Sequence, residues 1–161
     1  MDKRASIAGL LEAVDRMSPA GFAIALHIRY SSSAFVFQTY PPKWVEIYNE
    51  RGYILHDPVV TWCFENTGWI RWRDLGDRDE RGVMAEARRY GLLYGVSIAL
   101  FEGGTRSIAG CARSDREYLD VEIAELRDLV HALHCETAGK ETMPEEDLAA
   151  LRAMSVRLTH K

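Results

Sequence analysis

The 161-residue sequence contains no apolar run near the ~18–20 residues that a membrane-spanning helix needs. Its N-terminus, MDKRASIAGLLEAVDRM, interrupts its apolar residues with charge, so neither a membrane anchor nor a secretory leader is expected. Cysteine is scarce. Cys63, Cys111 and Cys135 are odd in number and far apart, which argues against a disulfide framework and suits reduced thiols in a cytoplasm. There is no long Lys or Arg run, and the formal net charge is −4, a poor balance for binding nucleic acid unaided. No internal repeat, low-complexity tract, HExxH or CxxC pattern is present. His131 and His134 stand three apart beside Cys135, but such a pair without further ligands reads as solvated or half-packed, so no metal or other cofactor is expected. Cys111 has no base placed beside it by sequence and reads as a small buried hydrophobe, not a nucleophile. Enzymatic chemistry is therefore not expected.

What is present is the composition of one globular domain, 47% hydrophobic and 27% charged. A chain of this length buries roughly two thirds of the surface its unfolded form exposes. Ile7, Leu10, Leu11 and Val14 recur at helical spacing and predict a helix over 2–16. FAIALHIRY (22–30) and SSAFVFQTY (32–40) predict a hairpin, and a helix follows from Pro41-Pro42 to Glu50, stopped by Gly52. Asp57-Pro58 is an N-cap followed by Pro at the first helical position, opening a helix to about Asn66. WIRW (69–72) reads as a short strand carrying Trp72, the segment 74–82 as a loop, and 82–90 as a helix closed by Gly91. VSIALFE (96–102) and RSIAGCAR (106–113) form a second hairpin. A final helix over 117–137 carries Leu119, Ile123, Leu126, Val130 and Leu133 on one stripe, a candidate dimer contact or core face. About five strands with helices between them predict an α/β/α sandwich around a central antiparallel sheet.

The stretch TYPPKWVEIYNERGYILHDPVV (39–60) poses the functional question. Tyr40, Trp44 and Tyr48 are four apart and share one helical face. An aromatic stripe packing on the sheet would explain them. Three polar tips on one face, each wanting a partner when buried, would equally suit a cavity holding a polar ligand. Asp57 divides in the same way: it can simply cap its helix, or it can also accept a ligand N–H, a charge-assisted bond worth ~1.5–3 kcal/mol. The four Trp, at 44, 62, 69 and 72, all fall within about thirty positions of one another, overlapping this stretch.

This stretch, then WIRW, then AEARRYGLLYGVSIAL, is similar to the autoinducer-binding domain of LuxR-type quorum-sensing regulators. The elements that carry the resemblance are Tyr-x-x-x-Trp-x-x-x-Tyr, the later Asp-Pro, the following Trp, and Ala-x-x-x-Gly-x-x-x-Gly leading into a strand, across residues 20–137. It implies an α/β/α sandwich binding an N-acyl homoserine lactone between sheet and helices. Trp44 would donate to the lactone carbonyl, Asp57 would accept the amide N–H, and Tyr40 would bond the acyl carbonyl. Tyr48 would wall the acyl chain, Trp72 would pack on the lactone ring, Ser97 would stand near the amide, and Val59 would also belong to the ligand-binding set. Two positions depart from the family's pattern: Cys111 replaces a Ser or Thr that contacts the acyl carbonyl, and Ala99 replaces a Pro. Trp62, Phe64 and Trp69 would either shorten the cavity or line a longer one. The domain is expected over 1–138, with 139–161 a linker and the incomplete start of a helix-turn-helix domain, through which alone DNA would be contacted. The resemblance further implies a cytoplasmic homodimer. A truncated homologue that pairs with a full-length regulator and blocks its DNA binding is the alternative.

Overall fold

The computed structural model describes residues 6–29 and 32–139. Five strands form one antiparallel sheet: β1 (Gly21–Arg29), β2 (Ser32–Gln38), β3 (Gly68–Arg71), β4 (Tyr94–Glu102) and β5 (Thr105–Arg113). Their spatial order is β2-β1-β5-β4-β3, so the two expected hairpins join through β1 and β5. Helices α1 (Ile7–Arg16) and α5 (Asp120–Thr137) cover one face. On the other lie α2 (Pro42–Glu50), α3 (Pro58–Glu65) and α4 (Val83–Ala87). The expected sandwich is the architecture observed.

Strand alternation sorts the residues of the two faces by size. Phe22, Ile24 and Leu26 of β1, Phe35 and Phe37 of β2, and Val96 and Ile98 of β4 point one way. With Leu10, Leu11 and Val14 of α1 and Ile123, Leu126, Val130 and Leu133 of α5 they form a packed core. The residues between them are small. Gly21, Ala112 and Gly95 make one row across β1, β5 and β4, and Ala23, Gly110 and Ser97 make the next. Bulk on one side and little on the other leave room beneath α2, α3 and α4.

Several boundaries differ from expectation for identifiable reasons. α1 starts at Ile7, not residue 2, because the Ser6 hydroxyl accepts the Gly9 N–H at 2.9 Å and takes the N-cap place. Trp72 is not on a strand: β3 ends at Arg71, and Trp72 opens a 3₁₀ stretch to Arg78 across most of the expected loop. The helix expected over 82–90 is α4 followed by a 3₁₀ turn, Arg88–Tyr90. Leu119 stands outside α5 as its N-cap and is 54% exposed, while the rest of the stripe is buried in the chain's own core and offers no dimer face. Residues 140–161, with the expected start of a helix-turn-helix domain, lie outside the described residues.

One polar cluster is set into the α1–α5 side. A bulge between Ala25 and Ile28 turns His27 to φ 56°, a left-handed conformation that His tolerates better than most residues. His27 Nε2 donates to the His134 carbonyl at 2.9 Å, and its Nδ1 accepts from Thr105 Oγ1 at 2.8 Å. Ser107 Oγ accepts the His27 backbone N–H and donates to His134 Nδ1 at 2.6 Å. The carbonyl partners fix both tautomers, and the cluster satisfies itself.

Candidate ligand-binding site

Between the small-residue face of the sheet and helices α2–α4 lies a cavity of about 210 Å³. Ala23, Ala25, Ile108 and Gly110 form its floor. α2 contributes Trp44 and Tyr48, one turn apart, and Tyr40 enters from the segment before it. Val59, Val60 and Cys63 come from α3, Val83 and Met84 from α4. Trp44 is 3% exposed and is wedged among three tyrosines, with ring centroids 5.7 Å from Tyr48, 5.9 Å from Tyr53 and 5.5 Å from Tyr90. Such contacts hold an aromatic ring in one orientation.

Asp57 has two duties at once. Its Oδ1 accepts the Val59 N–H at 2.9 Å, capping α3, and its Oδ2 accepts the Tyr48 hydroxyl at 2.8 Å. Tyr48, expected only as a wall, is therefore also the residue that orients the carboxylate. Burial raises the Asp57 carboxyl above its ordinary value, and the bonds from Tyr48 and Val59 oppose that rise. The Tyr48 phenol is raised by burial and then by the Asp57 charge, and Tyr40 is raised well above its ordinary value chiefly by burial. Both tyrosines therefore stay protonated and act as donors. The Val60 N–H makes a smaller contribution at Asp57, and because a carboxylate has about four acceptor directions one remains beyond Tyr48, Val59 and Val60.

The donors opposite are left open. Among the described residues, neither the Tyr40 hydroxyl nor the Trp44 indole N–H has a protein hydrogen-bond partner, although both side chains line the cavity. Tyr40 Oη sits over Gly110, where a Cβ would fall 3.0 Å from it.

The remaining expected residues divide. Trp72 lines the cavity and donates its indole N–H to Ser97 Oγ at 2.8 Å. Ser97 faces this side of the sheet but is buried behind Trp72 and does not itself line the cavity. Cys111 is a correction. It pairs with Phe22 and Val96 in the packed core on the opposite face, because a strand's period of two turns position 111 away from position 110. Trp62, Phe64 and Trp69 neither shorten nor line the cavity, and Phe64 and Trp69 are exposed.

Sequence reasoning includes Gly95 only as part of a motif, without its role against Trp72, and misses Gly110. A Cβ at Gly95 would fall 2.1–2.4 Å from three ring atoms of Trp72, so the indole can lie there only against glycine. Gly95 is inside β4, and a glycine within a strand marks close approach of another group.

Fold and cavity together define a small-molecule-binding α/β domain. The chain matches the autoinducer binding domain model over residues 7–136 and belongs to that family, the sensor domain of LuxR-type quorum-sensing regulators. It is 28% identical over 132 residues to the transcriptional activator protein VanR of Vibrio anguillarum, an alignment covering 79% of this chain and 55% of that protein. Among solved structures it resembles the N-acylhomoserine lactone dependent LuxR family transcription factor CepR2 from Burkholderia cenocepacia. That match has a TM-score of 0.62 at 16% identity and covers 83% of this chain and 81% of the other. SdiA of Escherichia coli, solved in complex with octanoyl-rac-glycerol, matches with a TM-score of 0.63 at 18% identity, covering 84% and 60%. At these identities the two structures speak for the fold alone. The chain spans about half the length of the curated relatives it matches. Among the described residues no helix is long and apolar enough to cross a membrane.

Proposed function

We propose that this domain binds an N-acyl homoserine lactone in the cavity beneath α2–α4. The carrying observation is the polar layout of an otherwise apolar cavity: one carboxylate, Asp57, with Tyr40 and Trp44 as donors that lack protein partners among the described residues. An acyl amide has the complementary pattern, one N–H between two carbonyl acceptors. Asp57 accepts the amide N–H, Trp44 donates to the lactone carbonyl, and Tyr40 donates to the acyl carbonyl. Trp72 covers the ring while Val59 and the alanines of the sheet take the chain. Each buried methylene contributes ~0.8 kcal/mol.

Signal reaches the rest of the regulator by linkage. A ligand held only by the folded domain stabilises it by RT ln(1 + [L]/Kd), roughly 2.7 kcal/mol at a hundredfold excess over Kd. The reading extends to a cytoplasmic homodimer that contacts DNA through residues outside those described. The layout also bears on acyl glycerols of the kind SdiA was solved with, whose hydroxyls could donate to Asp57 but which lack the amide N–H.

A thermal-shift panel tests this: lactones of increasing acyl length, the matching free fatty acids, and an acyl glycerol. Lactones are expected to raise the melting temperature progressively with chain length, and fatty acids, whose carboxylates oppose Asp57, are not. A panel in which no lactone raises it, or in which fatty acids do so equally, would contradict the proposal.

A further inference from the structure

On the face opposite the cavity, the end of β4 and the last turns of α5 bring together three side chains that ligate metals. His131 and Cys135 are four apart on α5, so they stack on one face one turn apart. His131 Nε2 lies 3.6 Å from Cys135 Sγ. Glu102, the last residue of β4, places Oε1 2.9 Å from His131 Nε2 and Oε2 3.9 Å from Cys135 Sγ. One donor atom from each residue lies within 4.8 Å of the other two, and all three side chains are exposed. The pairing considered from sequence was His131 with His134, but His134 turns inward at 3% exposure. Its place beside His131 and Cys135 is taken by Glu102, from 29 residues earlier than His131.

We propose that Glu102, His131 and Cys135 bind a thiophilic divalent cation of the zinc class. Around tetrahedral zinc, bonds of ~2.0–2.3 Å put donor atoms roughly 3.3–3.6 Å apart. His131 Nε2 and Cys135 Sγ are already 3.6 Å apart, and a single Glu102 oxygen, within 4.8 Å of both, has about an ångström to close. Exposed side chains make such shifts by small rotations. The donor set selects the metal: imidazole with thiolate suits zinc, whereas magnesium and calcium take oxygen cages. A thiolate and a carboxylate balance the 2+ charge with His131 neutral, the thiol proton passing to solvent on coordination. The fourth position is open to water, the arrangement of an accessible site.

The supports are already rigid. The Glu102 carbonyl accepts His134 Nε2–H at 2.9 Å, and His134 is locked to Ser107 behind it. β4 and α5 thus hold a fixed spacing at this point, and a bound ion would clamp the last described helix to the β4–β5 hairpin. The competing explanation is a His131–Glu102 surface ion pair with a thiol nearby, which would bring the same atoms together and bind no metal.

Competition of the untagged chain against a chromophoric chelator for Zn²⁺, together with Co²⁺ absorbance, separates the two. One equivalent should bind, Co²⁺ should give a thiolate-to-metal charge-transfer band, and Zn²⁺ should raise the melting temperature. Cys135→Ser should abolish the band. His131→Ala should weaken Zn²⁺ by more than the roughly 10–100-fold that follows loss of an outer-sphere partner. Both sites are exposed, so the metal-free melting temperatures should stay near wild type. Absence of Zn²⁺ binding, equal affinity in wild type and Cys135→Ser, or Co²⁺ spectra without the thiolate band would overturn the proposal. No lactone is used, so the outcome is independent of the receptor reading.

Discussion

The two faces of this sheet bury polar groups in opposite ways. On the α1–α5 side, His27, Thr105, Ser107, His134 and Thr137 bond one another until the cluster is closed. On the α2–α4 side, Asp57 is only partly engaged, and Tyr40 and Trp44 have donors with no protein partner among the described residues. Neither donor is sealed away as a buried unpartnered atom; each opens onto the cavity and stays available to whatever fills it. The same fold shows that such groups can be satisfied when nothing else is required of them. Open donors beside an apolar cavity are where we propose that recognition takes place, whereas the closed cluster serves stability.

Substitutions on the two faces should separate these roles. The largest effect is expected for Leu126→Ala, fully buried in the packed core, which should lose about 2–5 kcal/mol by urea unfolding. The increment added by a lactone should be unchanged, since no part of the cavity moves. Gly95→Ala should cost about 1–3 kcal/mol, because its Cβ would displace the Trp72 indole, and unlike Leu126→Ala it should also remove most of the lactone response. Trp44→Phe keeps the aromatic packing and drops only the N–H. Stability should change by less than about 1.5 kcal/mol while lactone affinity falls about tenfold or less.

The smallest effect is on pH dependence. The Asp57 carboxyl is raised in the fold, mainly by burial, so between its ordinary value and its folded value the native state holds a proton that the unfolded chain has released. Ligand-free stability should therefore fall as pH rises through that window and level off above it. Lactone affinity should change in the opposite sense, strengthening as Asp57 ionises. Asp57→Asn should flatten both trends in melts taken across the carboxylate range.

How much of this was legible in the sequence depended on how local each signal is. The hairpins, the Asp57 cap and the α5 stripe rest on spacings within one element, and the period-two and helical patterns placed them correctly apart from Leu119. The aromatic face of α2 was equally visible, since Tyr40, Trp44 and Tyr48 need only helical geometry to align. Cys111 was misplaced because similarity of position does not fix which face a strand residue takes; register against Phe22 and Val96 does. Trp72 was assigned to a strand because its contact with Gly95 joins residues that no local pattern relates. His27 escaped notice because its ring partners lie about a hundred residues away, at the far end of the chain.

The central claim is that the Asp57 carboxylate, oriented by Tyr48, recognises the amide of an acyl lactone. Calorimetric titration of the best-stabilising lactone into wild type and Asp57→Asn tests it most directly. Asn preserves the shape and can still cap α3, but it removes the charge. The expected result is a folded variant whose affinity is about ten- to hundredfold weaker, the worth of a charge-assisted hydrogen bond of ~1.5–3 kcal/mol. Equal affinity in the two proteins would contradict it.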